Sequence, residues 1–381
     1  MEWKEYSLGD ISKLKYGKNV SAKLCKGPVP IFSGYRKIGT CNTINCKKNT
    51  VIVIARGAGG CGDVKLTKED CFLTNLSISV ELDKGICNAK WFYYNHLLNN
   101  LSFLNSGSAQ PQITIDSLSK YLIRIPPIII QRKIAGILSA LDSKIENNNK
   151  INANLEAQAE ALFKSWFVDF TPFKDQPFVD SELGPIPHGW KVGKLGDIGE
   201  IVGGSTPSKS KPEYYTTHGI AWLTPKDLST SKAKFTSRGE IDITDEGYNS
   251  TSTKLMPRGS VLFSSRAPIG YLTIAKNEIC TNQGFKSLVP NGAGTGFIYY
   301  TLRHLTPQIE NRATGSTFKE ASATLMRSVE TIVPPTSILN KFEELLRPIL
   351  QFQEKKEEEN QRLAALRDTL LPKLMSGEIK L

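Results

Sequence analysis

The sequence predicts an α+β fold: two globular mixed α/β domains separated by a two-helix antiparallel coiled coil, with an internal pseudo-twofold repeat. Three observations predict it. The chain has 381 residues, about twice a common domain. Short sequence blocks recur in the same order in both halves. Two long stretches carry apolar residues at alternating spacings of three and four. Hydrophobic residues make up 40% and charged residues 22%, which excludes collagen-like, disordered and membrane-embedded classes.

The repeat is read from five matches. Trp3-Lys4 with Leu8-Gly9-Asp10-Ile11 recurs as Trp190-Lys191 with Leu195-Gly196-Asp197-Ile198. Val51–Arg56 answers to Val261–Arg266, Thr74-Asn75 to Thr281-Asn282, and Trp91–Tyr94 to Phe297–Tyr300. Ile125-Pro126-Pro127 matches Val333-Pro334-Pro335. The offset jumps once, from 187 to about 208, which predicts an insertion in the second copy within 203–258.

Residues 1–127 form the first globular domain, with β-type runs at Val51–Ala55 and Leu76–Leu82 and an amphipathic helix at Lys90–Leu101. Residues 128–170 follow as a central helix whose seam runs Ile134, Leu138, Leu141, Ile145, Asn148, Asn152, Leu155, Ala159, Leu162, Trp166. A linker covers 171–189. The second domain, 190–335, has strands at Val261–Ser264 and Lys286–Val289 and a helix at Gly296–His304. The distal helix, 336–376, has the seam Phe342, Leu346, Ile349, Gln353, Lys356, Asn360, Leu363, Arg367, Leu370, Leu374.

Both seams are polar at their middles, and polar seam residues fix register at some cost in stability. Antiparallel pairing brings those layers together, with Asn148 expected to meet Asn360 and Asn152 to meet Lys356. A helix of about 36 residues is about 54 Å long, so the pair is read as a spacer. Trp166, Phe167 and Phe170 on one helix, with Leu370, Leu371 and Met375 on the other, exceed what a two-helix seam needs. They are expected to form an outward apolar surface for a partner.

The chain has 48 Lys and Arg against 37 Asp and Glu, a formal charge of +11. That excess favours a polyanionic partner. The two helices carry five and seven cations against four and seven anions, so almost all of the excess falls on the globular parts. Of seven cysteines, six lie between Cys25 and Cys87, with no Cys-x-x-Cys. The spacing of Cys41, Cys46, Cys61 and Cys71 matches no zinc-ligand pattern. With no apolar leader or spanning segment in view, a reduced cytoplasmic protein is expected.

No catalytic constellation is visible. The four histidines are isolated, no phosphate-binding Gly-x-x-x-x-Gly-Lys loop occurs, and both Pro-Pro pairs lack the flanking residues of amino-methyltransferases. The chain is therefore read as non-catalytic. Polar and basic loop residues do recur in both halves. Ser33, Tyr35, Arg36, Lys37, Arg56, Lys65, Gln110 and Gln112 are candidates for DNA contact in the first. Thr206, Ser208, Lys209, Lys226, Arg266, Asn282, Gln283 and Lys319 are candidates in the second. Arg suits the acceptor edge of guanine, Asn and Gln suit adenine, and Ser, Thr and Lys suit phosphates.

Three further stretches carry a family resemblance: Leu183-Gly184-Pro185-Ile186-Pro187-His188-Gly189-Trp190, Ala161–Phe170 and Leu363–Ile379. Over essentially its whole length the chain resembles the specificity (S) subunit of type I restriction-modification enzymes. The resemblance implies two target-recognition domains, each reading one half of a split, non-palindromic double-stranded DNA sequence. It also implies helices that dock two modification subunits, which bind S-adenosylmethionine, with restriction subunits using ATP and Mg joining them. No cofactor is expected on this chain itself, and no membrane. The alternatives are a stand-alone DNA-binding regulator, or a methyltransferase or nuclease with its own active site.

Overall fold

A computed structural model describes residues 3–20, 26–34, 36–57, 60–106, 111–231, 233–266, 268–315 and 319–381. The chain divides into two compact units, Met1–Glu146 with Asn360–Leu381, and Asn147–Glu359. Each long helix therefore contributes one part to each unit.

The first unit opens with β1 (Lys4–Ser7) and β2 (Ser12–Tyr16), followed by a hairpin of β3 (Val29–Ser33) and β4 (Arg36–Cys41). Next come β5 (Val51–Ile54), β6 (Val64–Leu66), β7 (Phe72–Leu73) and β8 (Ser77–Leu82). Helices α1 (Ala89–Leu98) and α2 (Ile115–Ser119), strand β9 (Leu122–Ile125) and the long α3 (Ile128–Phe167) complete the series. The main sheet has the order β2-β8-β5-β6. All four residues of β5 are β-branched and buried, as a strand covered on both faces requires. Helix α1 starts where the Asn88 side chain accepts hydrogen bonds from the Lys90 and Trp91 amides. It buries Trp91, Phe92 and Tyr94 in a core that also takes in Ile134 and Leu138 of α3.

His96 lies in that core, 2% exposed, with Nδ1 2.8 Å from the Phe92 carbonyl oxygen and Nε2 3.2 Å from the Tyr121 hydroxyl. Burial pulls its pKa down to about 4. The unfolded chain therefore binds the proton first. The neutral ring's contribution is present above pH 6.5 and is lost as pH falls through about 4. Urea unfolding at pH 6.5 and pH 4 should show His96→Gln losing about 3 kcal/mol less than the parent across that interval. Equal losses would contradict a neutral buried ring.

The second unit repeats this plan with additions. It contains β10 (Phe178–Val179), β11 (Ile186–Pro187), β12 (Lys191–Lys194), α4 (Leu195–Ile198) and β13 (Gly199–Gly203). The expected insertion follows as β14 (Tyr215–Thr216), β15 (Trp222–Leu223), α5 (Pro225–Ser231), β16 (Phe235–Thr236), β17 (Asp242–Ile243) and α6 (Asp245–Asn249). Strands β18 (Val261–Phe263), β19 (Leu272–Ala275), β20 (Cys280–Thr281) and β21 (Lys286–Pro290) lead to α7 (Thr295–Arg312). The chain then runs through α8 (Ala323–Ser328) and β22 (Glu330–Val333) into α9 (Thr336–Ser376).

Strand pairing shows the repeat directly. Lys4 pairs with Ile125 and Lys191 with Val333. The parallel pair Phe32↔Leu73 is answered by Leu223↔Thr281. This corrects one match made on sequence. Thr74 donates its amide to Phe32, as Asn282 does to Leu223, so Thr74 corresponds to Asn282 and not to Thr281. A shared dipeptide misplaced the alignment by one residue.

Within the second unit α3 and α9 run antiparallel. Asn148 Nδ2 donates to Glu359 Oε2 at 3.1 Å, Gln353 Nε2 donates to the Asn152 carbonyl at 3.3 Å, and Phe167 meets Phe342. The polar layer is present, and Asn152 engages Gln353 where Lys356 was expected. A carboxylate gives a stronger, charge-assisted bond than an amide, and Glu359 accepts from both Asn148 and Lys356. In the first unit Asp142 of α3 pairs with Arg367 of α9 at 2.8 Å. Of the seam residues, Ile134, Leu138, Asn148, Ala159, Phe342, Leu346, Gln353 and Leu374 are buried. Leu141, Ile145, Asn152, Leu155, Leu162, Ile349, Lys356, Asn360, Leu363 and Leu370 are half-buried.

Two expectations are corrected. The stretch 171–189 is no bare linker, because β10 and β11 pair there and Phe173 and Ile186 are buried in the second unit's core. The proposed outward surface is also not outward. Phe167 is 5% exposed and, like Phe170, meets Trp190, while Trp166 lies against the same core beside Phe173 and Phe342. Leu371 and Met375 are buried in the core of the first unit. The surplus apolar residues of each helix are covered by the globular part it adjoins, a burial worth roughly 1.5–3 kcal/mol for each large side chain.

Among the described residues no helix is long and apolar enough to cross a membrane, and no group of three or more His, Cys, Asp or Glu is placed to hold a metal ion. Cys46 and Cys71 pair in an isolated antiparallel bridge, while Cys41 packs with Ile31 and Phe72.

Candidate nucleic-acid interface

At one end of the first unit's sheet, β5 runs into Arg56, whose backbone pairs with Gln112. The segment around Gln112 is tied to the strand end: the Ser106 amide donates to the Gln112 carbonyl, and the Ile113 amide to that of Ala55. The Arg56 guanidinium lies 5.8 Å from the centroid of the Tyr16 ring, and its Nε is buried without a hydrogen-bond partner among the described residues. Tyr16 is itself anchored, its hydroxyl accepting from the Ile115 amide at 3.2 Å. The β3–β4 hairpin brings Ser33 opposite Arg36, and Phe32 opposite Lys37. Its tip residue Gly34, at φ +61°, sits over Ile54. The fold thus brings Ser33, Arg36, Lys37, Arg56 and Gln112 to one sheet end, with Arg36 and Lys37 exposed. Lys65 stands apart, two residues back along β6 opposite Ile52, with its ammonium 3.9 Å from Asp63. Tyr35 and Gln110 lie outside the described residues.

The second unit repeats the frame. Arg266 pairs with Glu320, the Thr314 amide donates to Glu320, and the Ala321 amide to Ser265. Arg266 Nε lies 3.0 Å from Glu320 Oε2, and Lys286 Nζ lies 3.3 Å from Glu320 Oε1. The Thr206 hydroxyl donates to the Gln283 side chain. Asn282 turns inward: its side-chain oxygen accepts from the Gly284 amide at 2.8 Å, a turn-forming role that occupies the oxygen expected to read a base. Lys319 is exposed beside Glu320, and Ser208 and Lys209 are exposed farther along the loop after β13. Lys226 is close by, because Pro225 abuts Gly284, but its ammonium pairs with Glu240 at 3.2 Å. Thr206, Arg266, Gln283 and Lys319 therefore form the second surface, and Ser208, Lys209 and Lys226 lie around it.

Sequence reading missed several residues here. Tyr16, Glu320 and Lys286 complete the two surfaces. The offset of 208 that relates Ile125 to Val333 also carries Gln112 onto Glu320 and Ile78 onto Lys286. Gly17 was not singled out in the sequence, and Gly204, in the same loop as Thr206 and Ser208, has a steric role besides. A Cβ on Gly17 would lie 2.2 Å from the Thr74 carbonyl oxygen, and one on Gly204 would lie 2.2 Å from that of Asn282. Only glycine allows the chain to leave β2 and β13 so close to the neighbouring segment.

The DNA specificity domain of type I restriction modification matches this chain twice, over residues 1–157 and 187–363. The chain belongs to that family. Its two matched segments fall on the two repeats that the strand pairing reveals. The HindI type I restriction enzyme specificity subunit of Haemophilus influenzae is 26% identical over 99% of this chain and 100% of its own length. The MjaIX specificity subunit of Methanocaldococcus jannaschii is 38% identical over 44% of this chain, which spans 41% of that relative. The crystal structure of a type I restriction-modification S subunit from M. genitalium superposes with a TM-score of 0.69, 19% identity and coverage of 98% of this chain and 96% of that one. That similarity shows the shared fold. As a member of the specificity family, the chain recognises DNA targets for a type I system.

Proposed function

We propose that this chain reads a bipartite, non-palindromic double-stranded DNA target, one half-sequence per unit, and docks modification and restriction subunits without chemistry of its own. The observation that carries this reading is the repeated frame with different occupants. Arg56 and Gln112 answer to Arg266 and Glu320, and two readers of one plan but different side chains call for two different half-sequences. The paired helices serve as the spacer between half-sites. The long helices also keep exposed apolar residues, Leu345 and Phe352 on α9 one heptad apart, at 50% and 45% exposure. In place of the buried aromatics expected from sequence, these support docking of a modification subunit. S-adenosylmethionine belongs in this reading to two modification subunits, and ATP with Mg to restriction subunits, in the cytoplasm.

Methyl transfer to plasmid DNA tests the assignment. The chain and a modification subunit are assayed separately and together. Transfer only by the mixture supports the reading. Transfer by the chain alone shows an enzyme, and sequence-specific binding by the chain with no effect on the modification subunit shows a regulator.

A further inference from the structure

The two surfaces hold their arginines differently, and the difference bears on how the second half-site is read. Glu320 is engaged on both oxygens, Oε2 by Arg266 Nε at 3.0 Å and Oε1 by Lys286 Nζ at 3.3 Å. The Lys286 side chain is only 14% exposed, so one side of this carboxylate is fixed from within the unit, while Arg266 is 46% exposed. The contact on Arg266 is made at Nε, the guanidinium nitrogen nearest the main chain. A guanidinium paired on its Nε side is held in direction, and its outer edge can donate two parallel hydrogen bonds to O6 and N7 of guanine.

The first unit lacks this arrangement at the same positions. Gln112 stands where Glu320 does, and Ile78, fully buried, stands where Lys286 does. Arg56 rests instead over the Tyr16 ring, while the second unit has Gly203 at the place of Tyr16. The exchange is concerted: the carboxylate and its lysine occur together or not at all. Each surface keeps one net positive charge over the three positions, so overall attraction to phosphates does not account for the difference. What differs is the means of orienting the arginine.

We infer that Glu320 is a positioning residue that sets Arg266 to read guanine in the second half-site, with Lys286 securing Glu320. The inference rests on the proposal that the units read DNA, and extends it to the choice of one base. Base selection from a randomised duplex pool, by the full chain bound to modification subunits, tests it. Glu320→Gln should lower the preference for guanine at one position of the second half-site by roughly tenfold. The first half-site and the remaining positions should stay unchanged. Glu320→Asp, which keeps the charge, should retain more of that preference. In an Arg266→Ala background, Glu320→Gln should change base preference no further.

Three results overturn the inference. One is an unchanged preference in a folded Glu320→Gln variant. Another is a shift that persists without Arg266, since Glu320 would then read the base itself. The third is equal loss at both half-sites, which marks a purely structural role and also covers a variant that fails to fold. If the parent complex selects no sequence at all, the underlying proposal of DNA reading fails instead.

Discussion

Replacing Lys234 by Ala should lower the unfolding free energy by about 3–5 kcal/mol, the cost of removing one partner from a buried ion pair. Lys234 is 8% exposed, and its ammonium meets Glu156 at 2.5 Å, the Tyr300 hydroxyl at 2.6 Å and Gln353 Oε1 at 3.0 Å. Burial pulls the Lys234 pKa below its ordinary value, against the attraction of Glu156. For Glu156 burial alone would raise the pKa, but Lys234, Gln353 and Arg303 together hold it below the usual carboxylate range. The two groups face each other as a buried pair, and each depends on the other. The carboxylate of Glu357 on α9 also accepts from the Lys234 and Phe235 amides, at 3.0 and 3.1 Å. These contacts fasten α3 and α9 to the globular part of the second unit. Urea denaturation at neutral pH measures the effect. The double replacement Lys234→Met with Glu156→Gln should recover more than half of the loss, because no unpaired buried charge remains. A loss under 1 kcal/mol for Lys234→Ala would show a pair no stronger than a surface salt bridge.

Arg56→Ala and Arg266→Ala should each weaken specific DNA binding by about 1–3 kcal/mol, and each at one half-site only. Both residues leave a buried strand end and pair with a loop segment that closes on that strand. Both are thus held on rigid backbone, Arg56 over Tyr16 and Arg266 against Glu320. Competition binding with duplexes altered in one half-sequence at a time separates the two. Equal weakening on random duplex would instead place the guanidinium on phosphate, where contacts carry no sequence information.

The fold was legible in the sequence where periodicity and repetition were strong. Ile128–Phe167 and Thr336–Ser376 form helices because their seams run unbroken, and Val51–Ile54 forms a strand because four β-branched residues stand together. The partner of each polar seam residue was not legible. Register fixes which residues come near one another, but competition among nearby acceptors decides which bond forms, and the Glu359 carboxylate accepts from both Asn148 and Lys356. The apolar residues near the helix ends misled for a related reason. Phe167, Leu371 and Met375 exceed what a helix pair can bury, yet the globular parts bury them. At the interface the arginines could be found by their position after a strand. Glu320 and Lys286 could not, because an acidic residue in a basic loop and a lysine at a strand start read as ordinary surface until the strands bring them together.

Mapping every DNA sequence methylated by the chain in complex with modification subunits tests the central claim most directly. The account predicts two short, different sequences at a fixed separation, with the intervening base pairs unread. Arg56→Ala should relax one of the two sequences, and Arg266→Ala the other. A single continuous site, a palindrome, or a variant of either arginine that alters both sequences would contradict it.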